Sequence, residues 1–186
     1  TLHVTPVTDQ VVVRLDSITS TVSGGASLTT DTSGAVSAVT LGSPGKFNVG
    51  IVLSSADQDG SESLIQVLVT GVPNGLTVDG LSIGGGQVGT AQQLDNGKWL
   101  ISVAPSQLSA FNAALNGGNV DAQVSFSAGS VLSNATNTTI AIQVFSKDDG
   151  ASNLSDALVQ YELNANYTGG GQPGTSVQLN FEKNQN

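Results

Sequence analysis

Ala56-Asp57-Gln58-Asp59-Gly60-Ser61-Glu62-Ser63-Leu64-Ile65-Gln66-Val67-Leu68-Val69 crowds carboxylates around a glycine and then runs directly into an apolar stretch. Calcium takes about six to eight oxygen ligands, so Asp57, Asp59 and Glu62, helped by serine hydroxyls and backbone carbonyls, are the side chains such an ion selects. Gly60 permits the tight turn that brings them inward. The helix-loop-helix calcium loop is excluded, because no acidic residue follows at its closing position and the flanks read as strands. The stretch therefore predicts calcium held between β-strands. An ordinary polar hairpin turn uses the same residue types and is the plainer alternative.

Working outward, short apolar or alternating runs recur at 11–15, 46–53, 63–69, 98–103, 122–128, 138–145, 157–165 and 177–181, all rich in Val, Ile and Thr. Turn clusters separate them, among them Pro73-Asn74-Gly75, Asp95-Asn96-Gly97 and Gly169-Gly170-Gly171. This rhythm predicts an all-β fold, an antiparallel β-sandwich. One short helix is expected over 106–115, where Ser106 can cap, Leu108, Phe111 and Leu115 recur at helical spacing, and Gly117-Gly118 ends the run. The first 45 residues, of which 20–40 are dense in Ser, Thr, Gly and Ala, are expected to form weak strands or a long loop along the sandwich edge. The apolar content of the first 45 residues cannot sustain a core alone.

The chain has 186 residues, a length that suits one domain. Its 14 acidic residues against five basic ones give a net charge of -9. That argues against nucleic acid and anionic membranes as partners and suits a protein that binds cations. No cysteine is present and His3 is the single histidine, which excludes disulfides, thiolate zinc and histidine clusters. No run approaches the length of a membrane-spanning helix and no signal sequence opens the chain, so an excised, exported piece of a longer protein is expected.

The order Asp57-x-Asp59-Gly60-Ser61-Glu62-Ser63-Leu64, then Val69-Thr70-Gly71-Val72-Pro73-Asn74-Gly75-Leu76, then Asn96-Gly97-Lys98-Trp99-Leu100, resembles the repeating modules of RTX (repeats-in-toxin) bacterial adhesins. The resemblance implies a calcium-stiffened, immunoglobulin-like or cadherin-like sandwich at the bacterial cell surface, acting in adhesion and biofilm formation beside adjacent adhesin modules. The opening Val4-Thr5-Pro6-Val7-Thr8-Asp9 looks like an inter-module linker, which divides the chain into a linker over 1–10 and a single calcium-binding domain over 11–186. Asp9 could then share an ion with a neighbouring module. Residues 16–47 and those after Tyr167 match nothing in the simple repeat. The added length looks most like the calcium-dependent peptide-binding domain of such adhesins.

A second acidic concentration, Ser146-Lys147-Asp148-Asp149-Gly150-Ala151-Ser152-Asn153-Leu154-Ser155-Asp156, can hold another calcium ion. Asp148, Asp149 and Asp156, with oxygens of Ser152 and Asn153, are the candidate metal and ligand-binding residues; a solvated connection of turn formers is the alternative. An ion there with an open coordination position would accept an incoming carboxylate, letting an acidic protein capture an anionic peptide or protein end on a host or neighbouring cell. Asp31, Asp79, Asp95 and Asp121 read as surface or turn residues. Trp99 reads as a core or edge-packing aromatic, while Tyr161 and Tyr167 fit either role. Lys98 and Lys147 could meet a ligand carboxylate.

Catalysis is disfavoured. The histidine sits at a terminus, no triad is available, and paired carboxylates for glycoside hydrolysis would want aromatic sugar platforms that a chain with 4% aromatic residues lacks. The expectation is a monomeric, calcium-dependent ligand-binding module that does not insert into membranes. A calcium-rigidified structural extender is the alternative, and a carbohydrate-binding module a third reading.

Overall fold

The computed structural model describes residues 2, 11–21, 25–30, 37–55, 62–107, 119–132, 138–148 and 151–165. Eleven strands are formed by these residues: β1 (Val11–Ser20), β2 (Ala26–Thr30), β3 (Ser37–Leu41), β4 (Gly45–Ser55), β5 (Glu62–Thr70), β6 (Leu76–Ile83), β7 (Gly86–Asp95), β8 (Lys98–Val103), β9 (Val120–Ala128), β10 (Thr138–Asp148) and β11 (Ser155–Ala165). Hydrogen bonding runs through them in the order β1-β4-β9-β6-β7-β8-β5-β10-β11-β3-β2. The result is the expected all-β sandwich.

β7 turns the corner between the two layers. Its first half pairs with β6, from Gly80↔Thr90 to Ile83↔Gly86, and its second half pairs with β8, from Gly89↔Val103 to Asp95↔Lys98. A strand that leaves one layer for the other is how a sandwich makes a corner. At the open side, β1 packs against β11 and β2, bringing the far edges together.

The core follows from strand periodicity. Along β9, Val120, Ala122, Val124, Phe126 and Ala128 are buried while the residues between them face outward; along β10, Ile140, Ile142 and Val144 do the same. Phe47 and Phe126 are register partners whose rings stack at 5.1 Å, joining β4 to β9 at the centre.

Residues before 45 add to this core as well as to the edge. β2 forms one edge of the sheet, with β3 between it and β11, and Val39 and Leu41 of β3 are fully buried in the common core. β3 also runs parallel to β11, from Glu162↔Ala38 to Ala165↔Leu41, while all other described pairings are antiparallel. Its parallel course lets a weakly apolar segment extend a layer already formed by β10 and β11. Of the helix expected over 106–115, residues 105–107 are helical and 108–118 lie outside the described residues, as does the run at 177–181. A short 3-10 turn, Ser130–Leu132, was not expected and buries Leu132.

β6 and β7 were not read as strands, because Gly80, Gly86, Gly89 and a run of glutamines dilute their apolar pattern. Those glycines allow three backbones to converge. A Cβ at Gly80 would collide with the carbonyl oxygen of Gly89, and one at Gly89 would lie 2.7 Å from the carbonyl oxygen of Ser102 and 2.8 Å from Cγ2 of Ile101. Both glycines are buried, so no side chain can be turned away from the clash. Replacing Gly89 by Val should therefore cost about 1–3 kcal/mol by overpacking. A lowered denaturation midpoint with an unchanged slope is the expected result, with Thr90→Val, on the exposed face of the same strand, as the silent control.

Candidate functional site

The register of β5, β10 and β11 brings together one residue from each of the two acidic stretches that look separate in the sequence. Asp148, the last residue of β10, is the direct register partner of Glu62, the first residue of β5. On the other side of β10, Ser146 pairs with Ser155 and Phe145 with Asp156 at the start of β11. The start of β5, the end of β10 and the start of β11 thus lie at the same pole. A register shift between Phe145 and Ser146 in the β10/β5 ladder marks a bulge just before this point.

Directly opposed antiparallel residues have Cα atoms about 4.5–5.5 Å apart. Like charges in such positions are destabilising. Lys147, the residue before Asp148, is the register partner of Ser63. One further feature is unusual for a core strand: the hydroxyl of Ser146 is buried with no hydrogen-bond partner. Buried polar groups of this kind cost free energy when left unsatisfied.

The remaining candidates are dispersed. Asp156 is exposed, and its carboxylate accepts a hydrogen bond of 2.8 Å from Nε2 of Gln143 on β10. Ser152 and Asn153 are exposed bends in the connection. Asp57, Asp59, Asp149 and Asp9 lie outside the described residues, as do Asp31 and Tyr167. Among the described residues no three Asp, Glu or His side chains gather closely enough to hold a metal ion.

Asp79 and Asp95 have local roles. Asp79 sits at the bulge between Val78 and Gly80 and accepts a 2.6 Å hydrogen bond from the hydroxyl of Ser127. Asp95 accepts the backbone N–H of Asn96 at 2.8 Å and so fixes the β7–β8 turn. Asp121 is exposed on β9. Trp99 packs against the core while remaining half-buried, and Lys98 beside it is exposed.

Tyr161 of β11 resolves to the core. It is buried, its hydroxyl has no hydrogen-bond partner, and burial pushes the phenol far above its ordinary value. An ionised phenolate cannot be accommodated there, so the folded state keeps its proton where the unfolded chain would release it.

With this geometry in view, the chain was compared with known proteins. No protein-family model matches it, and no curated protein matches it. Among solved structures, CaCohA2 of Clostridium acetobutylicum aligns with a TM-score of 0.51 at 11% identity, covering 85% of this chain and 92% of that one. The sixth cohesin of Acetivibrio cellulolyticus scaffoldin B aligns with a TM-score of 0.46 at 13% identity, over 69% of this chain and 94% of that one. The three-domain T6 backbone pilin of Streptococcus pyogenes aligns with a TM-score of 0.46 at 7% identity, and this chain spans 36% of its length. The likeness to CaCohA2 is one of fold, a β-sandwich.

Tyr161 supplies a pH test. Stability should be level below the unfolded phenol's pKa of about 10 and fall above it by roughly 1.4 kcal/mol per pH unit, because only the unfolded state then loses the proton. Tyr161→Phe removes an unpartnered buried hydroxyl, so it should leave stability at pH 7 unchanged or raise it, and flatten the alkaline slope. Urea midpoints of both proteins from pH 8 to pH 11 check this.

Proposed function

We propose that this chain is a calcium-dependent adhesion module of a bacterial surface protein, which holds calcium where β5, β10 and β11 leave the sandwich and there captures a peptide or protein end. The observation that carries the reading is the register pairing of Glu62 with Asp148. Two acidic residues placed opposite one another favour a divalent cation that turns repulsion into shared coordination. Asp57, Asp59 and Asp149 adjoin them in the sequence, and Ser152, Asn153 and Asp156 follow in the second acidic stretch as further candidate oxygen donors. All are hard ligands of the kind calcium prefers.

The buried, unpartnered Ser146 hydroxyl lies two residues before Asp148 and supports the same location. Calcium also explains how a chain of net charge -9 would bind an anionic partner. An ion with an open coordination position attracts a carboxylate that the surrounding surface would repel. A module of this kind faces the outside of the cell, where calcium is abundant, and works in line with neighbouring modules. Asp9 would contribute to the joint with one of them.

Two outcomes test the metal and the capture separately. Calcium at about a hundredfold above its dissociation constant should add roughly 2.7 kcal/mol of stability. The paired substitution Glu62→Gln with Asp148→Asn should remove most of that gain, whereas Asp121→Asn, an exposed residue on β9, should leave it intact. Differential scanning calorimetry in calcium and in EDTA reads this directly. For capture, a library of peptides with free C termini should be retained in calcium and released by EDTA, and amidation of the same peptides should abolish retention. Stabilisation by calcium without retention of any peptide would identify a structural extender.

A further inference from the structure

The opposite pole of the sandwich carries a cleft of about 840 Å³ that the calcium reading does not use. It is bounded by the β5–β6 connection, the β7–β8 turn and the first residue of β10. Antiparallel register puts Thr70 and Thr138 at the far ends of β5 and β10 from Glu62 and Asp148. At about 3.4 Å per residue, the length of β5 separates the two poles by roughly 25 Å.

The walls are tied together by backbone. The Val72 N–H donates to the Gly97 carbonyl at 3.1 Å, and the Thr138 hydroxyl donates to the Gly71 carbonyl at 3.2 Å. Gly71 and Gly97 both take a φ of +77°, which side-chain-bearing residues rarely adopt; a Cβ at Gly71 would strike the carbonyl oxygen of Thr139 and one at Gly97 would lie 3.2 Å from the carbonyl oxygen of Val72, so both glycines let the walls pack closely. Such a cleft is preformed, with little ordering entropy left for a ligand to overcome.

Its lining chemistry is selective. Trp99, the chain's single tryptophan, is half-buried against the core and also lines the cleft. Gln93 is its register partner on β7, and Asn74 and Asn96 line the same space. Although the chain has 14 acidic residues, among the described residues no carboxylate lines the cleft, and Lys98 is the one charged lining residue. An aromatic face flanked by carboxamides, which both donate and accept hydrogen bonds, matches a sugar ring: apolar C–H groups meet the indole, and hydroxyls, themselves donors and acceptors, meet Asn74, Gln93 and Asn96.

An extended peptide fits less well. β5 and β8, which border the cleft, each have hydrogen-bonded neighbours on both sides, so neither offers a free edge for strand addition. Nucleic acid is disfavoured by the net charge. We propose that the Trp99 cleft binds a neutral oligosaccharide, through contacts that require no metal ion and are separate from the calcium-bearing pole.

The single tryptophan makes intrinsic fluorescence a direct reporter. The whole domain would be titrated with oligosaccharides of glucose, mannose, galactose, fucose and N-acetylglucosamine, in calcium and in EDTA at a temperature where the protein stays folded, and in parallel with free-carboxylate peptides. A saturable emission change with one of the saccharides is expected, with a dissociation constant that EDTA leaves within about twofold. Asn74→Ala and Gln93→Ala, both at exposed positions, should weaken it at least tenfold without moving the melting temperature. Trp99→Phe, read by calorimetry, should weaken it similarly. The proposal is overturned if no saccharide changes the emission of the folded protein. It is equally overturned if peptides do so instead, or if both alanine variants bind as tightly as the parent. Loss of binding in EDTA by a protein that remains folded would also overturn it, and would move sugar recognition to the calcium pole.

Discussion

The close approach of three backbones at Gly80, Gly89 and Ser102 is the constraint on which this sandwich depends. β7 has to hydrogen-bond to β6 with one half and to β8 with the other, and it can do so only where no side chain holds the strands apart. Once that corner is made, β4, β9 and β6 are brought over β8, β5 and β10, and the alternating apolar residues of both layers find each other. The Phe47–Phe126 stack and the buried valines then follow from strand parity. A corner built from glycine contributes no apolar contact of its own; its value is geometric, and the stability comes from the burial it permits.

The same corner separates two chemically unlike poles. β5 and β10 run antiparallel beside each other, so one end of the pair holds Glu62 and Asp148, while the other holds Thr70, Thr138 and glycine turns. One pole pairs two acidic residues by register. The other is lined, among the described residues, by carboxamides, an indole and a lysine without a carboxylate. On the two proposals made above, the module would respond to calcium in its stability while recognising a neutral ligand independently of it.

Much of the fold was legible in the sequence. Runs at 46–53, 63–69, 98–103, 122–128, 138–145 and 157–165 became β4, β5, β8, β9, β10 and β11, because Val, Ile and Thr in alternation have few other stable arrangements. β6 and β7 were hidden by the glycines that the corner requires. β3 was hidden because Val39 and Leu41 have too few apolar neighbours in sequence to announce a buried strand; their partners come from β11, over a hundred residues away. Tyr161 could be read two ways until its burial settled it in the core.

For the site, the sequence by itself determined the chemistry: oxygen ligands in two acidic stretches, no thiols, no usable histidine, and a charge that favours cations. Those properties belong to residue types and survive any arrangement of the chain. Only the tertiary structure decided that Glu62 and Asp148 meet, because they are 86 positions apart and become neighbours through strand register, which is set by long-range pairing of backbone and core. It likewise decided that Trp99, Asn74, Gln93 and Asn96 face one space. No local pattern encodes that meeting, since it depends on how the β5–β6 connection and the β7–β8 turn fold over a common pole.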